Sequence, residues 1–342
     1  MTHALVTGGA GFIGSNFVRH WLANDPKVRI VDLDALTYAG SLSNLEDLPD
    51  AGRHIFIQGD ICDGELVLRL LYEYEVDTIV HLAAESHVDN SIAGPAGFIQ
   101  TNVVGTFTLL EAARRVWLEE KRWDASRCRF HHVSTDEVFG SLTETAEPFN
   151  ETSRYVPNSP YSATKAGSDH LARAYHHTYG LPVTISSCSN NYGPRQHDEK
   201  FIPTVIRSCM ALKPIPIYGD GRNMRDWLHV EDNCSGLLAV LQRGTPGETY
   251  NIGCGNEWRN IEIARLICAT FDSLFPSRAA HQRLLAFVPD RPGHDWRYAI
   301  DSTKIRSELA WAPRHTFEEG IRETVDWYVR ARPEWMAAKS SS

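Results

Sequence analysis

Thr7-Gly8-Gly9-Ala10-Gly11-Phe12-Ile13-Gly14 joins an apolar, β-branched run at 3–7 to an amphipathic stretch at 12–24. Glycines at 8, 11 and 14 permit a tight turn, close approach of the backbone to a pyrophosphate, and close packing of helix on strand. The helix that opens there turns its free N–H groups toward the anion. Such a turn is weak evidence alone, but its surroundings agree with it. The second apolar run ends in Asp32-Leu33-Asp34, about 20 residues on, where an acid accepts from ribose hydroxyls and disfavours a 2′-phosphate. Asp60-Ile61 closes a third run beside the adenine position, and Leu82-Ala83-Ala84 closes a fourth with small residues. The sequence therefore predicts a dinucleotide site that prefers NAD.

Working outward, short runs at 3–7, 28–33, 54–58, 77–82, 128–133 and 182–187 alternate with helical patterns at 12–24, 64–75, 97–120 and 161–179. This rhythm predicts a Rossmann-type, doubly wound parallel sheet with helices on both faces. After about residue 190 proline and glycine cluster at 193–194, 214–221, 244–256 and 289–293, around helices near 201–212, 231–242, 259–271 and 317–331. The expected division is an NAD-binding domain over 1–190 and a smaller α/β substrate domain over 191–338, with some segments returning to the first sheet.

The 342 residues carry 34 basic and 43 acidic side chains, a net charge of −9, which offers no field for nucleic acid or an anionic membrane. Seven scattered cysteines without a C-x-x-C pair argue for a reducing compartment rather than a disulfide framework. With no signal peptide and no long apolar run, a cytoplasmic enzyme is expected. No metal site is expected, because His131-His132 and His176-His177 read as packing residues with no carboxylate at zinc spacing.

Tyr161 and Lys165 stand four apart, on one face of a helix. A phenol of pKa about 10 is a poor base at neutral pH. A neighbouring ammonium, with the positive charge of nicotinamide, is expected to lower it. The fifth run ends in Ser134-Thr135-Asp136-Glu137. Alcohol oxidation needs only the hydroxyl of Thr135. Two adjacent carboxyls suit an elimination, in which one group takes a carbon-bound proton and the other protonates a leaving hydroxyl.

The glycine turn, the Tyr161–Lys165 pair and the strand order resemble the extended short-chain dehydrogenase/reductases. Within that group the chain is similar to the dTDP-glucose 4,6-dehydratases. The resemblance is carried by Leu36-Thr37-Tyr38-Ala39-Gly40, the stretch from His81 to Asp89, Ser134-Thr135-Asp136-Glu137-Val138, Ser189-Asn190-Asn191-Tyr192-Gly193-Pro194, Arg225-Asp226-Trp227-Leu228 and Asp290-Arg291-Pro292-Gly293-His294-Asp295. It implies conversion of dTDP-glucose to dTDP-4-keto-6-deoxyglucose with bound NAD. Thr135, Asp136, Glu137, Tyr161 and Lys165 would be catalytic. Asp34 rather than Asp32 would hold the ribose, and Leu36, Thr37, Thr101, Tyr161, Lys165 and Asn191 would join Gly8, Gly11, Phe12, Ile13, Gly14, Asp60, Ile61, Leu82, Ala83 and Ala84 around the cofactor. Ser86, Thr135, Asn190, Glu199, Lys200, Arg225, Asn260, Asp290 and His294 would contact the nucleotide-sugar. The family often has an aromatic and a proline where this chain has Arg195-Gln196-His197-Asp198.

The competing readings are a UDP-glucose 4,6-dehydratase, a nucleotide-sugar 4-epimerase using the same tyrosine and lysine, and a catalytically silent NAD-binding protein. The stretches 98–117 and 161–177 hold more apolar and small residues (Ile99, Val103, Leu109, Leu110, Ala113; Ala166, Leu171, Ala174) than one sheet face needs. A homodimer through a four-helix bundle is expected from them.

Overall fold

A computed structural model describes residues 2–276, 279–290 and 295–336. The first half builds β1 (His3–Thr7), β2 (Arg29–Asp34), β3 (His54–Gln58), β4 (Thr78–His81), β5 (Arg129–Thr135) and β6 (Val183–Cys188). Beyond them come β7 (Asn190–Tyr192), β8 (Ile215–Tyr218), β9 (Met224–His229) and β10 (Thr249–Ile252). Seven strands form one parallel sheet in the order β10-β6-β5-β4-β1-β2-β3. All four residues of β4 and all six of β6 are buried, as expected where helices cover both faces. The chain leaves β1 toward β2 and β3, then crosses back to β4 on the other side of β1. The outgoing loops diverge there and open a crevice above the strand ends.

Phe12–Asn24 and Val230–Arg243 cover one face, burying Phe17, Trp21, Leu237, Leu241 and Trp311. Gly64–Glu73, Thr106–Ala113 and Pro160–Tyr179 cover the other, over Leu70, Leu109, Trp117, Ala172 and Tyr175. At about 25 cal/mol per Å² of apolar surface, burial of side chains this size is the main force holding the layers together.

The remaining strands pair around β9, which takes β7 in parallel (Asn190↔Trp227), a short antiparallel strand at Glu257–Arg259, and a short parallel one at Arg297–Tyr298. Phe201–Ala211, Asn260–Leu274 and Phe317–Ala331 bury a separate core of Ile206, Ile263, Ile267, Phe271, Ile321 and Val325.

One expectation needs correction, and another gains its position. Within the proline- and glycine-rich stretch 244–256 lies a segment that returns to the first sheet. Thr249-Tyr250-Asn251-Ile252 forms β10, fully buried and paired with β6. Turn residues on either side hid a four-residue strand. Leu109, Leu110 and Ala113 are fully buried in the chain's own core, so they cannot face a second subunit. The apolar residues that the stretch exposes are Ile99, Val104 and Phe107.

Candidate active site

The glycine turn adopts the shape its residues predict. Gly8 has φ +77°, and a Cβ there would lie 2.7 Å from the Cα of Ala83. A Cβ on Gly14 would run into the carbonyl oxygen of Gly8. Two acids tie the turn down. Gly9 N–H donates to Asp32 Oδ1 (3.0 Å), while Ala10 N–H and Leu36 N–H donate to Asp34 Oδ2 (2.9 Å) and Oδ1 (2.8 Å). Burial pushes both carboxyls above their ordinary value.

Above this turn lies a cleft of about 260 Å³. Its lining includes Gly8, Gly11, Phe12, Ile13, Gly14, Asp34, Thr37, Asp60, Ile61, Leu82, Ala83, Ala84 and Thr101, together with Tyr161, Lys165, Ser86 and Lys200. The donors, the acid and the space left by missing side chains fit a dinucleotide. Leu36 and Asn191 stand back from the wall: Leu36 turns away at φ +53°, and Asn191 donates to Ser189 O (2.9 Å). Gln196 and His197, from the stretch that departs from the family's pattern, also line the cleft, although no binding role was assigned to them.

The catalytic face begins at a helix cap. Ser159 and Ser162 exchange side-chain and backbone hydrogen bonds, with Pro160 in the first turn, and this fixes the start of Pro160–Tyr179. Tyr161, Lys165 and Asp169 then follow at four-residue spacing, all buried. Lys165 Nζ donates to Val133 O (2.8 Å). Asp169 accepts from Ser134 Oγ (2.8 Å) and Tyr155 OH (2.8 Å), and it faces His132 Nε2 at 3.0 Å. Burial pushes Asp169 up, but His132, Lys165 and Ser134 together hold it below its ordinary value. Burial lowers Lys165, and Asp169 opposes that shift. Sequence reasoning passed over Asp169, although a third polar residue on the same helical face was its signal.

For Tyr161, the chain's own groups oppose a phenolate, so the expected lowering rests on the nicotinamide charge as well. Burial first, then the charge of Glu137, pushes its phenol well above 10, and the Thr135 hydroxyl only partly offsets them. The lysine alone does not supply a phenolate, because its ammonium is already engaged by Val133 and Asp169.

At the end of β5, Thr135 Oγ1 accepts from Glu137 N–H (3.3 Å). Asp136 is 2% exposed, and its Oδ2 has no hydrogen-bond partner among the described residues. Burial, Glu137 and Asp226 raise its carboxyl well above 3.8, while Arg225 pulls the other way. A carboxyl whose neutral form is favoured by burial thus stands next to a second carboxyl, an arrangement that pushes the two titrations apart.

Asp226, which the sequence reading did not select, is fully buried and accepts from Cys254 N–H (3.0 Å) and Asn256 N–H (2.8 Å). Its neighbour Arg225 is also buried, donating to Asp295 O (2.8 Å) with its guanidinium 4.2 Å from the Tyr298 ring centre. On the outer side of the cleft, Lys200 Nζ donates to Ser86 O (3.3 Å), and Glu199 approaches His87 (3.6 Å) and His197 (3.7 Å). Asn190 has a buried Oδ1 without a hydrogen-bond partner among the described residues. Glu199, Asn190, Arg225, Asn260 and Asp290 are not part of the cleft lining. Asn260 N–H donates to Asn223 O (3.1 Å), and Asp290 packs against Gly219. His294 lies outside the described residues.

Residues 5–324 match the family described as GDP-mannose 4,6 dehydratase. A dTDP-glucose 4,6-dehydratase of Xanthomonas campestris pv. campestris is 56% identical over 329 residues, covering 95% of this chain and 92% of the relative. Crystal structures of dTDP-glucose 4,6-dehydratases from Streptomyces venezuelae (47% identity, TM-score 0.87) and Bacillus anthracis (43%, TM-score 0.86), both with NAD, each cover 98% of this chain and 99% of their own. The chain belongs to the dTDP-glucose 4,6-dehydratase family.

Proposed function

We propose that the protein converts dTDP-glucose to dTDP-4-keto-6-deoxyglucose and water. The observation that carries this reading is the Asp136-Glu137 pair beside Tyr161, with Asp136 buried and Glu137 half-buried, which a 4-epimerase does not need. NAD, as in the Streptomyces and Bacillus enzymes, would occupy the glycine-floored cleft and supply the hydride acceptor for C4 and the hydride donor for C6. Tyr161, assisted by Thr135 and Lys165, takes the proton of the sugar's 4-hydroxyl. The resulting ketone acidifies C5–H, so oxidation precedes elimination. Glu137 takes the C5 proton, and Asp136, whose neutral form burial favours, gives a proton to the C6 hydroxyl, which leaves as water. Glu137 then returns a proton to C5.

Ser86, Asn190, Glu199, Lys200, Arg225, Asn260, Asp290 and His294 are assigned to the nucleotide-sugar; a guanidinium such as Arg225's suits a diphosphate because it bonds two oxygens at once. Thymidine preference follows the named relatives. Substrate deuterated at C4 tests the cycle. The expected product has lost one water and carries deuterium in its new methyl group. Label returned to C4 at unchanged mass would establish an epimerase, and parallel incubation with UDP-glucose tests the nucleotide.

The chain is further proposed to work as a homodimer in the cytoplasm. Ile99, Val104 and Phe107 form the outward apolar surface of the helix pair. None of the seven cysteines is in a disulfide, and no helix among the described residues is long and apolar enough to cross a membrane. Light scattering that gives the mass of one chain at micromolar concentration would remove the dimer.

A further inference from the structure

Away from the cleft, a second set of ligating side chains meets where β9 ends. His229 closes that strand, His315 precedes the helix Phe317–Ala331, and Glu323 stands on its second turn. Ligating atoms of these three residues lie within 4.8 Å of one another, and the two imidazole centres are 4.1 Å apart. His229 is 3% exposed, and neither of its ring nitrogens has a hydrogen-bond partner among the described residues. An imidazole always has at least one N–H, and burying such a group without a partner costs on the order of 1–3 kcal/mol. The other nitrogen carries a lone pair that is likewise buried without a partner, and a metal ion would occupy it.

His315 is arranged in the opposite way. Its Nδ1 is 3.0 Å from Asp232 Oδ2, and Asp232 is itself fixed by the backbone N–H groups of Arg314 and His315, each at 3.0 Å. A proton held at Nδ1 leaves the Nε2 lone pair facing outward, 3.7 Å from Glu323 Oε2 and 3.8 Å from Glu231 Oε2. A carboxylate behind a histidine, fixing its tautomer, is the usual support for a metal ligand. Glu231, Asp232 and Glu323 also bring three carboxylates to the cluster, which a dication would offset.

We infer that His229, His315 and Glu323 form a binding site for a divalent ion of the zinc class, with Asp232 as the positioning residue of His315. Two imidazole nitrogens and one carboxylate favour zinc over the oxygen-seeking magnesium and calcium. A bound ion would tie the C-terminal helix to the strand that carries Arg225 and Asp226.

The test is zinc titration of the chelator-treated full-length protein by calorimetry, with cobalt(II) absorption as a second readout. The wild type should take up one zinc per chain and show the visible bands of a nitrogen-ligated cobalt site. Because His229 is in the core, the variants used are His315→Ala and Glu323→Gln, both nearer the surface. His315→Ala should lose stoichiometric uptake and the cobalt bands, and Glu323→Gln should bind more weakly. Asp232→Asn should weaken binding by roughly ten- to a hundredfold. Absence of uptake by the wild type would overturn the site. So would equal uptake by His315→Ala, which would place the ion on the cysteines or elsewhere.

Discussion

The dinucleotide side and the catalytic side of the site are built on different principles. On the dinucleotide side, the turn from Gly8 to Gly14 and the small residues Ala83 and Ala84 act mainly by what they lack, and backbone N–H groups do the bonding. On the catalytic side, Asp136, Lys165, Asp169 and Asp226 are buried ionisable groups drawn from three segments, all shifted by burial, with Lys165 and Asp169 acting on each other and Asp226 acting on Asp136. A cradle is a matter of shape, and neighbours in sequence can make it. A set of matched charges has to be gathered by the fold.

The sharpest way to break this contrast is Tyr161→Phe, which leaves the cradle intact and removes the first base. Turnover should fall by roughly 10²–10⁴-fold or more, with cofactor affinity unchanged in a fluorescence titration. Loss of both would mean that the two sides are not separable. Glu137→Gln should reduce dehydration by a similar factor in the lower part of that range while sparing hydride transfer, so reduced cofactor and the 4-keto sugar accumulate together in a rapid-quench experiment. Undiminished dehydration would assign the C5 proton to another group.

Gly14→Ala probes the shape side. Overpacking against the Gly8 carbonyl should cost about 1–3 kcal/mol, read as a roughly ten- to hundredfold weaker NAD affinity, with turnover at saturating cofactor less affected. Asp136→Asn should have the smallest effect on stability and a revealing sign. A carboxyl whose pKa is raised on folding adds stability that is complete below its ordinary 3.8 and lost as pH rises through the raised value. Replacing it with a neutral amide should therefore raise Tm at neutral pH, by the equivalent of about 1 kcal/mol, and the gain over wild type should shrink as pH is lowered toward 4. A Tm that falls equally at all pH values would mean that Asp136 acts by packing alone.

The same contrast explains what could be read from the sequence. The cradle was legible because Gly8, Gly11, Gly14 and Asp34 are required by local geometry at near-fixed spacing. Tyr161 and Lys165 were legible as a helical pair. Their electrostatics were not, because Val133 O and Asp169, which engage the ammonium, meet it only in the folded chain. Asp226 reads as one acid among many until β9 brings it beside Asp136. The pairing of His229 with His315 depends on a contact between distant segments, and no spacing rule anticipates it. β10 was missed for a local reason, a strand too short to show alternation between two turns.

That late strand has a consequence for how the chain is made. Synthesis delivers β1 to β6, and with them the entire floor of the cleft, well before Thr249–Ile252 leaves the ribosome. Until then β6 is an open edge of six apolar and small residues, able to pair with any other extended chain. The nascent protein therefore passes through a stage in which the cradle can form while the sheet is still adhesive. A stalled or truncated product ending near residue 240 would keep that edge permanently, and it would be a substrate for chaperones and proteases rather than a smaller enzyme.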